Sequence, residues 1–340
     1  MDYDAVVIGA GPGGLHCARL LAQQGVRVVV LERRSAAGRK VCAGGITWNG
    51  LLGSVPESLL EASFASQTIS TRRRRVTISE PHPLIATVNR QRLGHYQAEQ
   101  ATAAGATLLF NAPVSKISDS AVCYRWRGKE RRVTGTHLIG ADGSHSLVRS
   151  ALGLKTKRLG IGITYYVERT CDEMIWHFDA ARFGSGYSWV FPHRQTMSVG
   201  VYQGTRKGSA AALQRELLAW LTTIGVSAET AAIGADLVNH DYRGWRFDRR
   251  YLIGDAAGLA SPLTGEGIYP AIVSGEAVAA AIIDPAADQR TINKILKKHR
   301  KHRIMLNMAE PSPRLASFLA ELSALLLRYR ILSSSSFEMA

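Results

Sequence analysis

Near the start of the chain a short apolar run, Ala5-Val6-Val7-Ile8, leads directly into Gly9-Ala10-Gly11-Pro12-Gly13-Gly14. The run reads as a buried parallel strand. Leu15 to Gln24 then reads as a helix ended by Gly25, and Val26 to Leu31 as a second strand ending at Glu32. Together they form a complete βαβ unit. Gly9 permits the tight turn, Gly11 lets a pyrophosphate approach the backbone, and Gly14 lets the helix pack on the strand. The helix N-terminus offers free N–H groups to phosphates, with Pro12 and Gly13 expected in the nucleotide site beside the three glycines. Glu32 lies 32 − 14 = 18 residues past the last glycine, close to the spacing of about 20 expected for a carboxylate on a ribose 2′-hydroxyl. The unit therefore predicts dinucleotide binding; the alternative is a structural glycine-rich turn.

A chain of 340 residues holds one large domain or two intimate ones with ample core. At 46% hydrophobic and 20% charged it is a folded globular protein. The cysteines (Cys17, Cys42, Cys123, Cys171) are scattered with no CxxC pair, as for reduced thiols in a cytoplasmic protein. The first strand starts at once, so no signal peptide is expected. No apolar run reaches the ~18 residues of a membrane span. The histidines His16, His145, His177 and His193 lack metal-ligand spacing, and no metal is expected.

The net charge of +15 is concentrated at Arg72 to Arg75, Arg125 to Arg132 and Lys297 to Arg303. Such clusters suit nucleic acid, an anionic lipid surface or phosphorylated substrate, or a plain solvated face. The clusters hold few aromatics and no nucleic-acid motif is present, so no nucleic-acid partner is expected.

Beyond the first unit, Leu84 to Val88 reads as a strand feeding a helix up to Gly105, with short strands at Thr107–Phe110, Ala121–Tyr124 and Thr136–Ile139. From Gly160 to Tyr202 the pattern changes. Met174, Trp176 and Phe178 alternate with Ile175, His177 and Asp179, a period of two. Tyr187–Phe191 and Met197–Val201 continue as strands, with a helix over Ala211–Leu221. This predicts an antiparallel sheet with one buried face. Arg250 to Ile253 returns to a buried-strand pattern, so the nucleotide domain is split around an inserted sheet. Ser333 to Ser336 reads as a frayed low-complexity tail.

Two further strand ends carry Asp beside Gly: Leu138-Ile139-Gly140-Ala141-Asp142-Gly143 and Tyr251-Leu252-Ile253-Gly254-Asp255-Ala256. A carboxylate there can accept hydrogen bonds from polyol hydroxyls. In order after the first glycine loop, these resemble the DG and GD motifs of the p-hydroxybenzoate hydroxylase-like flavoproteins. The resemblance implies FAD as cofactor and Asp255 on its ribityl hydroxyls. It also implies Arg90, in Thr87-Val88-Asn89-Arg90-Gln91-Arg92-Leu93, on the phosphate–ribityl stretch, with Arg92 as the alternative. Arg33 and Lys40 are placed in the cofactor site with them. Gly265 and Gly267 let the backbone approach the flavin, and the helix starting near Ile268 stabilises negative charge on the reduced ring.

Two segments narrow the resemblance to the geranylgeranyl reductase family. Lys40-Val41-Cys42-Ala43-Gly44-Gly45-Ile46 is similar to its Cys-Gly-Gly-Gly loop, although Ala43 replaces a glycine. Tyr187-Ser188-Trp189-Val190-Phe191-Pro192 is similar to its Tyr-x-Trp-x-Phe-Pro motif. The likeness covers about residues 1–300, and the chain ends sooner than many members, which puts the C-terminal cover of the substrate in doubt.

The expected fold is α/β: a split Rossmann-type FAD-binding domain (1–70, 86–155 and 246–300) with an inserted antiparallel-sheet substrate or cap domain (71–85 and 156–245, α+β) and a C-terminal helical segment (301–340). Gly44 and Gly45 are expected near the cofactor. Tyr187, Trp189, Phe191 and Pro192 either line a pocket for a long hydrocarbon or pack as core. Cys42 either relays a proton or gates the flavin beside the isoalloxazine, or is a small buried hydrophobe.

The first glycine loop is committed to FAD, and no second Rossmann motif serves a nicotinamide. Electrons then come from transiently bound NAD(P)H, a ferredoxin or a quinol. The leading expectation is reduction of C=C bonds in a prenyl chain on a lipid or isoprenoid. A monooxygenase on the same scaffold and an FAD electron carrier are the alternatives. Leu315, Phe318, Leu319, Leu322, Leu325 and Leu326 recur at helical spacing after the basic run. This pair of helices either rests on an anionic leaflet, making the protein membrane-peripheral, or caps the substrate domain.

Overall fold

The computed structural model describes residues 2–38, 40–48, 55–118, 121–205 and 208–340. In chain order the first half runs β1 (Asp2–Ile8), α1 (Pro12–Gln23), β2 (Val28–Leu31), β3 (Gly45–Thr47), β4 (Leu60–Phe64), β5 (Ser66–Thr71), β6 (Arg75–Ser79), β7 (Ile85–Val88), α2 (Arg90–Ala103), β8 (Thr107–Leu109), β9 (Val114–Ile117), β10 (Val122–Trp126), β11 (Lys129–Gly140) and α3 (Leu147–Ala151). The second half runs β12 (Leu159–Val167), β13 (Ile175–Phe178), α4 (Ala180–Phe183), β14 (Tyr187–Pro192), β15 (Met197–Gln203), α5 (Ala210–Thr223), β16 (Ala232–Asn239), β17 (Arg246–Phe247), β18 (Arg250–Leu252), α6 (Ile268–Ile283), α7 (Arg290–Ala309) and α8 (Pro313–Arg328).

Among the described residues, β8-β2-β1-β11-β18 form the parallel body of the first sheet. Both faces of β1 are covered, so its side chains are apolar without alternation. Ala5 and Val7 face the helix layer of α1 and α6; Val6 and Ile8 join Tyr124, Val133 and Leu138 on the other side. The chain leaves β1 between two strands reached from opposite directions, β2 and β11. That is the switch point where an open parallel sheet leaves a crevice for a ligand.

The second sheet has the order β16-β12-β15-β14-β13-β5-β6. It is mostly antiparallel, as the period-two pattern predicts. One pair departs from that: β13 runs parallel to β5, with Trp176 opposite Ile69. β5 thus belongs to this sheet, which starts at Ser66, whereas the expected boundary left residues up to 70 with the cofactor domain. Parallel pairing joins strands about a hundred residues apart in sequence, and no local pattern reveals such partners. One face of the sheet packs on α5 through Val199, Val201, Leu217 and Trp220. The other carries Tyr187, Trp189, Phe191 and Tyr202.

The C-terminal helices return to the body. His299 and His302 of α7 are buried, and His302 joins Ser261 Oγ (Nδ1, 2.9 Å) to the Ser336 carbonyl (Nε2, 3.3 Å). The serine tail is therefore docked, not frayed: Ser334–Phe337 form a 3₁₀ turn and Met339 is buried. Its backbone N–H donates to Glu266 Oε2 at 2.9 Å. Composition alone suggested fraying because the anchors come from residues far away in sequence. Among the described residues no helix is long and apolar enough to cross a membrane.

Burial holds His299 down at about 3, and His16 and His302 at about 4. The unfolded chain binds these protons at ordinary histidine pKa values, so stability falls as pH drops from about 6.5 toward 4. Burial pushes Glu266 up to about 7, which acts in the opposite sense over an overlapping window. Three histidines outweigh one glutamate there. The denaturant midpoint should fall steadily between pH 6.5 and 4, and His299→Leu should make the decline shallower by about one proton.

Candidate cofactor and substrate site

Three βα turns meet at the end of the parallel strands, and glycines set how closely. Gly9 has φ +103°, and a Cβ there would lie 2.4 Å from the Ala141 carbonyl oxygen. A Cβ on Gly13 would lie 2.3 Å from the Ala271 oxygen, and one on Gly14 2.4 Å from the Gly9 oxygen. These three glycines are required by the protein's own packing. Gly11 differs: its nearest neighbour would be 3.7 Å away, and it lines an open cavity. The space over Gly11 is therefore kept clear for a ligand.

The cavity has a volume of about 880 Å³ and continues from these loops to the inner face of the second sheet. At the nucleotide end stand Pro12, Glu32 and Arg33. Glu32 accepts from the backbone N–H of Ala10 (2.7 Å) and of Arg34 (2.8 Å), so it bridges the two loops and faces the cavity with its remaining lone pairs. Asn89 caps α2 by accepting from Gln91 N (2.9 Å), which puts Arg90 at the first helical position. Arg90 Nε and Nη1 are buried without a hydrogen-bond partner. Buried guanidinium donors without an acceptor are costly, and an oxyanion in the cavity would satisfy them. Arg92 instead donates to the Ser58 carbonyl at 2.8 Å and lies outside the cavity lining.

Asp142 donates nothing and accepts from Leu147 N at 2.6 Å through Oδ2, while Oδ1 is buried without a partner. Burial raises its pKa. Asp255 is held by Ser144 Oγ (3.0 Å) and by Lys40 Nζ (2.5 Å). Burial pushes the Lys40 ammonium down, but the carboxylates of Asp255 and Asp236 more than offset it and hold the pKa above its ordinary value. The Lys40–Asp255 pair crosses the chain between the Cys42 loop and the GD turn. Lys40 thus lines the same cavity as Asp255, the carboxylate for which the resemblance implies the ribityl hydroxyls. Gly143, Gly254, Gly265, Gly267 and Ile268 also line the cavity.

The expected loop residues divide. Cys42 and Gly45 line the cavity. Gly44 does not: with φ +82°, its Cβ would meet His193 Cε1 at 2.6 Å, so it serves the passage of the loop under that ring. Ala43 has no positive φ and tolerates its methyl group, which accounts for its replacing glycine. The loop is clamped from three sides. Tyr166 Oη donates to the Cys42 carbonyl (3.1 Å); the Ala43 carbonyl accepts from Ser198 Oγ (3.0 Å) and lies 3.0 Å from His193 Nε2. His193 Nδ1 is 2.8 Å from Glu61 Oε2. Trp189 Nε1 donates to Ser198 Oγ at 3.1 Å. The His193–Glu61 pair and the Ser198–Ala43 bond have no local trace in the sequence, since each joins residues more than a hundred positions apart.

The far end of the cavity is apolar. Tyr187, Trp189 and Phe191 line it with Trp176 and Phe178. The rings are in contact: Trp176 meets Phe191 edge-on at 4.7 Å and Tyr187 at 5.2 Å between centroids. Trp189 lies flat because Gly200 opposite has no side chain; a Cβ there would be 2.3 Å from the indole. Tyr187 Oη donates to the Thr264 carbonyl at 2.6 Å, tying the aromatic wall to the glycine loop of the GD motif. Pro192 is not part of the lining; its carbonyl accepts from Thr87 Oγ1 at 2.7 Å. Met305, Leu319 and Leu327 of α7 and α8 close the opposite side. The short C-terminal segment therefore does cover the cavity. Glu266 also lines the cavity and was missed, although its place between Gly265 and Gly267 signalled it.

Residues 2–290 match the family described as FAD binding domain. The chain belongs to that family and is an FAD-dependent oxidoreductase with FAD as its cofactor. It is 30% identical over 300 residues to the geranylgeranyl diphosphate reductase of Rhodobacter capsulatus, covering 83% of this chain and 75% of that protein. It is 27% identical over 303 residues to the digeranylgeranylglycerophospholipid reductase of Methanocaldococcus jannaschii, covering 82% and 78%. A geranylgeranyl bacteriochlorophyll reductase-like protein from Thermoplasma acidophilum has the same fold, with a TM-score of 0.80 at 20% identity and 97% of each chain covered. The halogenase CndH shares the fold at a TM-score of 0.69 and 16% identity, covering 97% of this chain and 90% of that one.

The residues present fit FAD: unpartnered Arg90 donors, the open ledge at Gly11, the Asp142 oxygen and a carboxylate at Glu32. Gly11→Ala should leave the unfolding midpoint of the FAD-free protein nearly unchanged but weaken FAD binding at least tenfold, measured by fluorescence quenching. Gly14→Ala should lower the midpoint itself, because its methyl group collides with backbone.

Proposed function

We propose that the protein saturates C=C bonds in a prenyl chain carried by a lipid or isoprenoid. The observation that carries this reading is the aromatic and aliphatic arm of the cavity, which starts at the flavin-binding loops and is walled by Tyr187, Trp189, Phe191 and Leu319. An alkene chain offers nothing to hydrogen-bond, so a site for it must exclude water and hold it by shape. The names of the Rhodobacter and Methanocaldococcus relatives support the same substrate class.

Bound FAD, once reduced, supplies a hydride to one alkene carbon. The protein's part is to align the chain, keep water out and deliver a proton to the other carbon. We assign that proton to the Cys42 thiol, on a loop whose Cys42 and Ala43 carbonyls are fixed by Tyr166, Ser198 and His193. Rigid placement of the donor is what makes general-acid transfer effective. Glu266 is a second candidate proton donor on the cavity wall, and burial holds its pKa up at about 7. Arg90, Glu32, Asp142 and Asp255 hold the cofactor, with Lys40 beside its ribityl chain. The electron donor is NAD(P)H, a ferredoxin or a quinol.

The test is anaerobic incubation of the reduced holoprotein with geranylgeranyl diphosphate, followed by mass spectrometry for a gain of two hydrogens per saturated bond. Cys42→Ala should bind FAD and accept electrons from dithionite as the wild type does, yet form product at least tenfold more slowly. If Glu266→Gln has that effect and Cys42→Ala does not, the proton comes from Glu266. Oxygen uptake in one-to-one ratio with an oxygenated product would instead identify a monooxygenase.

A further inference from the structure

Helix α8 has two apolar faces. Ala316, Leu319, Ala320, Ser323 and Leu327 point into the cavity. Leu315, Phe318, Leu322 and Tyr329 follow one another at helical spacing on another face and are 40%, 61%, 37% and 65% exposed. The sequence groups Leu319 with Leu315, Phe318 and Leu322; in the structure it lies on the inner side. The neighbouring end of α7 adds Ile304 and Met308, each 53% exposed. Large apolar side chains at such exposure on two helices packed together mark a surface that contacts something apolar.

The charge around this face selects the partner. Between Arg290 and Ile331 the chain carries ten Lys and Arg against two Glu. Glu321, one of the two, is consumed by Arg74 Nη1 at 2.6 Å. Lys297, Arg300 and Lys301 are exposed along α7, and Arg314 and Arg328 bracket the apolar stripe on α8. Arg72 and Arg73 stand beside it, in the β5–β6 turn that Glu321 fastens to the helix. An apolar stripe ringed by cations matches a bilayer interface with anionic headgroups.

We propose that the outer face of the α7–α8 hairpin seats on an anionic lipid bilayer, with Phe318 and Leu322 inserted among the acyl chains. The cavity lies directly behind the same helix, and Met308 belongs to both surfaces: it is exposed and also lines the cavity. A lipid-borne chain could pass from the leaflet to the apolar arm without crossing water. That passage rests on the proposed reaction; the docking itself does not.

Vesicle flotation tests it with the FAD-loaded protein. Wild type should float with vesicles containing a quarter phosphatidylglycerol, bind pure phosphatidylcholine at least tenfold less, and lose most binding at high salt. Phe318→Ser/Leu322→Ser should reduce partitioning at least tenfold while keeping FAD content and circular dichroism, since neither residue lines the cavity. Lys297→Glu/Lys301→Glu should weaken binding to the anionic vesicles only. Wild type that stays unbound at low salt, or a double serine variant that floats as well as wild type, overturns the proposal. So does a stable dimer in light scattering that the serine pair converts to monomer. None of these outcomes depends on turnover, so a failed reductase assay and a failed docking are read separately.

Discussion

Backbone contact without side chains is the constraint on which the molecule turns. Where β1 gives way to α1, the Gly9 carbon lies against the Ala141 carbonyl, Gly13 against the Ala271 carbonyl, and Gly275 of α6 against the Gly13 carbonyl. Three turns from widely separated stretches are thereby drawn together at one end of the parallel sheet. That proximity brings Glu32, Asp142 and Asp255 around a single crevice. A methyl group at any of the three contacts would lie 2.3 to 2.4 Å from a backbone oxygen and force the turns apart. Gly11, with room to spare on the protein's side, is the exception that shows what the gap is for.

The second sheet turns this crevice into a reaction chamber. Its inner face is apolar and aromatic, but it is linked to the cofactor end by a few directed hydrogen bonds. Tyr187 reaches Thr264, Ser198 reaches Ala43, and Tyr166 reaches Cys42. Each joins the rim of the sheet to a loop of the cofactor end, so the two halves are fixed in register by polar contacts while the chamber between them remains greasy. The C-terminal helices supply the remaining wall.

Much of this could be read from residue order. The strand–glycine–helix grammar, the Asp at the ends of β11 and β18, and the alternation through Trp176 and Phe178 are local patterns, because backbone turns and pleats impose their period on neighbouring residues. The parallel pairing of β5 with β13, the anchoring of the serine tail through His302 and Glu266, and the clamp of His193 on Ala43 are contacts between distant segments with no local trace. Gly44 shows the limit sharply. Its place in a glycine-rich loop suggested closeness to the cofactor, whereas the atom it makes room for belongs to His193. Pro192 is similar: it ends an aromatic strand, yet only its carbonyl is used, by Thr87.

The aromatic wall has a consequence for how such a chamber could change its capacity. Trp189 serves as wall and, through its indole N–H, as support for Ser198 under the Ala43 carbonyl. Tyr187 serves as wall and as a tie to the Thr264 carbonyl. Cutting back either to admit a bulkier guest would also loosen a loop at the reactive end. Phe191 carries no polar atom. Its ring packs on Gly45 of the Cys42 loop without a hydrogen bond, so room made at that position gives up an apolar contact and no directed tie, and divergence in guest size has a less obstructed route there than at Tyr187 or Trp189.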